Sequence, residues 1–445
     1  MRQTRIINGS LIVALFCFTG YSADIVKDVI DEIKIVPKGY GSMEIGQIGQ
    51  GFYKSAQGSN FEEIAHVWQE RAFANLGFTA RYRDRLRIDI SGEGFMAFST
   101  PQRPNYPTTL QTRQFFYIKS ANALVSLGNP DFFLGNLQVG LFPYKYNPAV
   151  RNLGEYLFRS NPYPLVVYAD FDYPLVDLLG ARGNAQFLNK MIEIDLLLHS
   201  ELLAHPVQDW SLSGVITSNL FRNSLSVGVG GSMYHIFSVY QGTYMKGAVD
   251  PFYYMKNIDS ATIGLPSWSD TAIDRNAINV MTRFSFDIKK FLPLSIFGKH
   301  DLLLYGEMDI LGLKKYSPYY DDIKERILWS FGFNIPGFKV IDLLNLEFEY
   351  CENRSAYADQ LFYKNTKPNY QPMMLSTFGM KRIPWRWSLY IKKTFFEEHL
   401  GLIAQIARDH KKINFYYIEF AEMCFAEVLP TNEDWWWVFK TEFKF

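Results

Sequence analysis

Hydrophobic and polar side chains alternate with a period of two along much of this chain. In 85–93, Leu86, Ile88 and Ile90 fall on one side of an extended strand, and Arg85, Arg87, Asp89, Ser91 and Glu93 on the other. In 279–289, Val280, Thr282, Phe284, Phe286 and Ile288 oppose Asn279, Met281, Arg283, Ser285, Asp287 and Lys289. Ile192, Ile194, Leu196 and Leu198 oppose Glu193 and Asp195; Leu344, Leu346, Phe348 and Tyr350 oppose Asn345, Glu347, Glu349 and Cys351. The last residues divide most sharply. Trp435, Trp437, Phe439, Thr441, Phe443 and Phe445 share one face, and Trp436, Val438, Lys440, Glu442 and Lys444 the other. Successive side chains of a strand point to opposite faces, so each segment predicts a strand with one apolar and one polar surface. One such strand fits a soluble sheet. The same division repeated along the chain fits strands with lipid on one side and water on the other.

The pattern places strands near 42–53, 66–81, 85–99, 111–127, 133–142, 174–187, 190–202, 209–220, 223–239, 277–291, 300–313, 326–335, 340–352, 372–382, 385–396, 399–409, 413–424 and 435–445. Short connectors (82–84, 128–131, 221–222, 336–339) alternate with long ones (100–110, 143–173, 240–276, 314–325, 353–371). That asymmetry is expected of a transmembrane antiparallel up-and-down β-barrel with tight turns at one end and large loops at the other. An even strand number returns both termini to the tight-turn side. Counting from Gly41 predicts an all-β barrel of about 18 strands over 41–445. Sixteen is the main alternative, because the four strands between Asn353 and the closing strand carry the weakest pattern. The closing strand, 435–445, should pair with the strand near 42–53, because a membrane barrel leaves no open edge.

Upstream of the barrel, Arg2 and Arg5 precede the apolar run Leu11–Phe18 and the small residues ending at Ala23. This predicts a signal peptide over 1–23; the run is too short to span a membrane as a helix. Residues 24–40 predict a short periplasmic segment, with Ile25, Val26, Val29, Ile30 and Ile33 at helical spacing.

Composition agrees. The chain is 48% hydrophobic with a mean hydropathy near zero, as a wall with alternate apolar positions requires. Aromatics are 17% of residues, enough for girdles at two membrane interfaces. The formal net charge of zero implies no nucleic-acid partner. Cys351 and Cys424 remain after processing; a periplasmic disulfide and two free thiols both fit.

The terminal Phe445, with aromatics at Phe443 and Phe439, resembles the C-terminal signal that outer-membrane barrel proteins present to their assembly machinery. In length and alternation 41–445 resembles porins of Gram-negative bacteria. The resemblance implies an integral outer-membrane protein in contact with lipid and lipopolysaccharide, with assembly through the C-terminal strand and a homo-oligomer by analogy. It also implies that a long loop folds into the barrel and narrows the pore. On that analogy 143–173 is the constriction loop, lined by Arg151, Glu155, Arg159, Asp170 and Asp172 with Arg182 on the following strand; the alternative is a lid over the outer rim. Arg85, Arg87, Asp89, Glu93, Arg283, Asp287, Glu347 and Glu349 are predicted to face the lumen. Both signs are present among them, which predicts no strong ion preference. Tyr240, Tyr244, Phe252, Tyr253, Tyr254 and Trp268 in 240–276 could stack on a ligand or decorate an exposed loop.

Catalytic and metal motifs are lacking: there is no H-E-x-x-H, Walker A, G-x-S-x-G or C-x-x-C sequence, and His199 and His205 stand apart. Neither an enzyme nor a cofactor is expected. The function that fits best is passive diffusion of small hydrophilic solutes or ions. The alternatives are a transporter of hydrophobic substrates and a structural or adhesive barrel with a plugged lumen.

Overall fold

The computed structural model describes residues 32–54, 61–83, 85–100, 111–129, 133–159, 176–201, 210–237, 277–292, 294–313, 322–351, 384–408 and 433–445. The strands are β1 (Ile33–Lys54), β2 (Phe61–Ile64), β3 (Val67–Tyr82), β4 (Leu86–Thr100), β5 (Gln111–Asn129), β6 (Phe133–Tyr144), β7 (Val176–Phe187), β8 (Ile192–Glu201) and β9 (Trp210–Leu220). They continue as β10 (Leu225–Phe237), β11 (Ala277–Asp287), β12 (Leu303–Ile310), β13 (Ile327–Ile335), β14 (Leu343–Cys351), β15 (Trp385–Phe395), β16 (Leu400–Arg408) and β17 (Trp435–Lys444). A helical turn, α1 (Tyr156–Arg159), follows β6.

From β3 to β17 each strand pairs antiparallel with the next, and β1 pairs with both β3 and β17. The wall is therefore a closed barrel of sixteen strands; β2 stands outside the count, bound to the end of β1 at Gly51–Lys54. The expected strand count of about 18 is corrected to the alternative, 16. The two surplus strands, 372–382 and 413–424, lie outside the described residues. Tyr350 of β14 pairs directly with Trp385 of β15, and Ala407 of β16 with Trp436 of β17, so nothing stands between those neighbours. Parity survives because the surplus was itself even.

The expected N-terminal helix is also corrected where it is described. β1 begins at Ile33, opposite Tyr82, rather than near Gly41. Pro37 cannot extend a helix and disfavours helical backbone before it. It sits in β1 beyond the end of β17, where Gly39 and Phe445 exchange the last backbone hydrogen bonds of the seam. One edge of β1 is unpaired there, the place a strand tolerates proline.

The faces separate as the alternation predicts. Leu137, Val139, Leu196, Leu198, Leu212, Ile216 and Val229 point outward and are exposed. Aromatics flank this aliphatic band. Near the long connectors Trp68 meets Trp437 edge-on at 5.7 Å and Tyr350 lies 4.9 Å from Trp385. Near the short turns Phe133–Phe187, Phe286–Phe291 and Phe297–Phe338 lie 5.2, 5.5 and 6.1 Å apart. An aliphatic band between two aromatic girdles is the outer surface a bilayer requires. The inner face is polar. Lys440 and Glu442 of β17 are buried there, with Glu442 paired to Lys392 at 2.7 Å, while Lys444 is exposed at the strand's end. Gly140 of β6 has φ +122, and a side chain there would overlap the backbone carbonyl of Ala121, so the backbone at that point needs glycine.

Candidate functional site

Beyond Tyr144, the chain does not rise over the barrel rim. Residues 145–159 run inside, against the lumen faces of β12 and β14 on one side and of β6 to β9 and β11 on the other. Glu347 of β14 accepts the backbone N–H groups of Arg151, Asn152 and Leu153 at 2.7, 2.7 and 2.8 Å, and the hydroxyl of Tyr305. Glu307 of β12 accepts the N–H groups of Glu155 and Tyr156 at 3.2 and 3.0 Å, the Asn147 amide at 3.1 Å and the Tyr146 hydroxyl. Glu349 accepts the Tyr156 hydroxyl. Two wall carboxylates thus satisfy a run of backbone donors that a buried loop must otherwise leave unpaired. Hydrogen bonds to an ionised acceptor are also the stronger kind.

The backbone makes this approach possible locally. Gly154 and Glu155 have φ of +142 and +64. A Cβ at 154 would fall 2.6 Å from the Val150 side chain, so the turn that brings Glu155 and Tyr156 onto Glu307 needs glycine. Lys145 donates to the Val150 carbonyl at 2.7 Å, closing the same turn.

The opposite wall holds the segment by apolar contact. Leu157 and Phe158 are buried with Phe142, Tyr144, Leu178, Leu197, Val215 and Met281. Phe158 meets Tyr144 edge-on at 5.3 Å and the His199 ring at 5.2 Å. Burying two such side chains contributes roughly 3–6 kcal/mol relative to leaving them exposed. The segment therefore bridges the lumen, with acids on one side and an apolar patch on the other.

The residues expected to line a constriction are placed unevenly. Glu155 is buried, and its carboxylate turns back to accept from Tyr146 N at 3.3 Å and from Asn147 N. Burial, and next to it the negative charge of Glu307, push the Glu155 carboxyl up to about 8. Arg151 is half-buried beside Glu347. Arg182 lies across the lumen on β7, paired with Asp195 at 2.7 Å and over the Tyr144 ring at 5.0 Å. Of Arg159 only the backbone is described, and Asp170, Asp172, loop 240–276, His205 and Cys424 lie outside the described residues.

The expected lumen charges are engaged with one another or with the inward segment. Asp89 accepts from Thr79 at 2.5 Å and pairs with Arg87 at 2.6 Å and Lys38 at 3.2 Å. Glu93 is buried and accepts from Tyr117 and Asn75. Arg283 donates to Thr217 at 2.8 Å, Asp287 lies 3.6 Å from Lys289, and Arg85 is exposed. His199 shares hydrogens with Ser213 at 2.8 Å, and Ser213 with Ser232 at 2.6 Å. No cluster suited to a metal ion occurs among the described residues.

Glu307 was missed from the sequence although its signal was present. Tyr305, Glu307 and Asp309 alternate with Leu304, Gly306, Met308 and Ile310, the same division that marks Glu347 and Glu349. Glu155, Glu307 and Asp309 come together as three buried acids that their separation in sequence hides.

Closed, even-stranded, banded with apolar residues outside and turned tightly at one end, the architecture is that of an integral outer-membrane β-barrel. No family model and no curated protein matches the chain. Among solved structures it is similar to OprB of Pseudomonas putida at low pH (8% identity, 96% of this chain and 97% of that one, TM-score 0.43). It is also similar to the outer-membrane channel DcaP of Acinetobacter baumannii (11%, 93% and 98%, 0.41) and to a mutant porin of Rh. blastica (8%, 93% and 100%, 0.41). Identities of 8–11% and TM-scores of 0.41–0.43 leave function to be read from the chain's own residues.

Proposed function

We propose that this protein is a porin-like outer-membrane channel for passive diffusion of small hydrophilic solutes or ions, narrowed by residues 145–159. The observation that carries the reading is the anchoring of that segment to lumen-facing Glu307 and Glu347. A sixteen-strand wall by itself encloses an aqueous channel, and a segment bridging it sets the passage. The lining is polar and carries paired charges of both signs, which suits hydrated solutes better than hydrophobic ones. The activity needs no cofactor and no covalent chemistry. Lipid and lipopolysaccharide surround the barrel, the assembly machinery engages the C-terminal strand, and the outer surface admits a homo-oligomer.

One observation favours a second reading, a plugged barrel that serves as a surface scaffold. Asn345, Glu347, Glu349 and Ile403 are 0% exposed and Ser388 1%, so the wall from β14 to β16 has little water against it. Swelling of vesicles loaded with sugars of increasing size separates the two. A channel admits small sugars and excludes large ones with a sharp limit. A plugged barrel admits none.

A further inference from the structure

Lys34, Arg81 and Arg87 lie side by side across three strands at the short-turn end of the barrel. Lys34 is directly opposite Arg81 in the pairing of β1 with β3, and Arg81 is directly opposite Arg87 in the pairing of β3 with β4. Their face is fixed by their neighbours. Thr79 and Lys38 both bond Asp89 on the lumen side; Arg81 is two positions from Thr79, Arg87 two from Asp89 and Lys34 four from Lys38, in phase with them. Arg85 continues the same face toward the turn.

Like charges directly opposite on adjacent strands repel, with Cβ atoms about 5 Å apart. The nearby acids do not relieve all of this. Asp89 already takes Arg87, Lys38 and Thr79. Glu32 takes two bonds from Arg83, at 2.6 and 3.0 Å. Leu124, opposite Arg87 on β5, adds no charge. Among the described residues Lys34, Arg81 and Arg85 make no ion pair, and all three are exposed. Composition predicts no strong preference between ions, but the register gathers at one mouth cations that have no ion pair among the described residues.

We propose that this row binds small multivalent oxyanions, phosphates above all, at the short-turn mouth. Guanidinium forks match the paired oxygens of an oxyanion, and a neighbouring ammonium adds a point charge. Exposed charges of one sign around an opening raise the local concentration of the opposite ion. An anion on the row also removes the repulsion between facing strands. The channel reading supplies the reason a solute arrives here; the binding itself does not depend on it.

The test uses the full-length protein in detergent, with inorganic pyrophosphate as probe, by titration calorimetry at low salt. The wild type binds. Lys34→Gln combined with Arg81→Gln lowers the affinity about tenfold or more, a difference of about 1.4 kcal/mol. Salt at about 1 M weakens wild-type binding similarly, because the Debye length falls to about 3 Å. Lys190→Gln, an exposed charge at the same end but outside the row, leaves the affinity unchanged. A heat-dependent gel shift verifies that each variant retains its barrel. A wild type that does not bind pyrophosphate, or a double variant that binds it equally well, overturns the proposal. Conductance of the same preparations separates this inference from the channel reading: current without pyrophosphate binding removes the anion site alone, and binding without current removes the channel alone.

Discussion

Glu347 accepts the backbone N–H of Asn152 at 2.7 Å although 195 positions separate the two in the chain. That bond and its two neighbours hold the inward segment against β14, and removing the acceptor leaves them nothing to replace it. Glu347→Ala leaves three backbone donors unpaired in a buried place, at about 1–3 kcal/mol for each unsatisfied group, and takes away the acceptor of the Tyr305 O–H, whose oxygen keeps only the bond from Asn345. The barrel wall keeps its own hydrogen bonds. The expected outcome is an intact, heat-modifiable barrel in which the peptide bonds of 145–159 become accessible to protease from the lumen. Glu398→Ala, on an exposed turn, should leave cleavage unchanged.

Glu155 makes the docking of the same segment depend on pH. It lies on the inward segment, outside the spanning strands. Its folded-state value, about 8, is above its ordinary value of 4.5, chiefly through burial and then through Glu307. The docked form therefore favours the protonated acid. Its stability is greatest below about 4.5, falls as pH rises through the interval to about 8, and changes little above. Protease access to 145–159 should rise from pH 5 to pH 9. Glu155→Gln should hold it at the low-pH level throughout, and a variant that keeps the wild-type pH profile would show that another group titrates.

The barrel seam gives a prediction that depends on space alone. A Cβ added at Gly46 meets the Trp437 backbone oxygen at 2.6 Å and the Val438 Cβ at 3.0 Å, whereas one at Gly41 meets nothing closer than 3.7 Å. Backbone on the closing strand cannot step aside as a side-chain tip can. Gly46→Ala should destabilise the closed barrel by about 1–3 kcal/mol. Gly41→Ala should leave it within experimental error. The temperature at which the compact gel band is lost reads the difference.

Depth in the membrane grades the cost of an outward charge. Ile216 lies in the aliphatic band of β9 and Phe221 in the turn that follows; both are exposed. Arginine at the bilayer midplane costs about 2–4 kcal/mol and near an interface about 0–1. Ile216→Arg should therefore lower the folding free energy in lipid vesicles by the larger amount and Phe221→Arg by the smaller. Equal effects would contradict the placement of the band.

Much of the wall was legible because one rule governs it. Ile88 and Asp89, or Phe348 and Glu349, declare their faces by alternation, and lipid on one side makes the pattern strong. The strand count was less legible, because the pattern between Asn353 and the closing strand is the weakest in the chain, and the count of sixteen rests on the direct pairing of Tyr350 with Trp385 and of Ala407 with Trp436. Turn chemistry was hidden as well: Phe221, Arg222 and Asn223 all have positive φ without a glycine among them. The inward segment was legible as a long aromatic connector, but not its attachment. Glu307 and Glu347 meet Glu155 and Asn152 only after the barrel closes, and a charge that binds backbone amides leaves no spacing in sequence. Glu155 shows the limit most clearly: as a charge in a long loop it predicts a pore-lining acid, yet it turns onto its own backbone.

The central claim, a water-filled lumen narrowed by a segment anchored on Glu307 and Glu347, is tested most directly by single-channel conductance in planar bilayers. Wild type is compared with the Glu307→Gln, Glu347→Gln double variant, whose amides keep the size of the side chains and lose the charge that holds the loop. The prediction is a small, steady wild-type conductance and a larger, noisier one in the variant, with both barrels intact by gel shift. Wild-type and variant barrels that are equally intact and equally silent would contradict it.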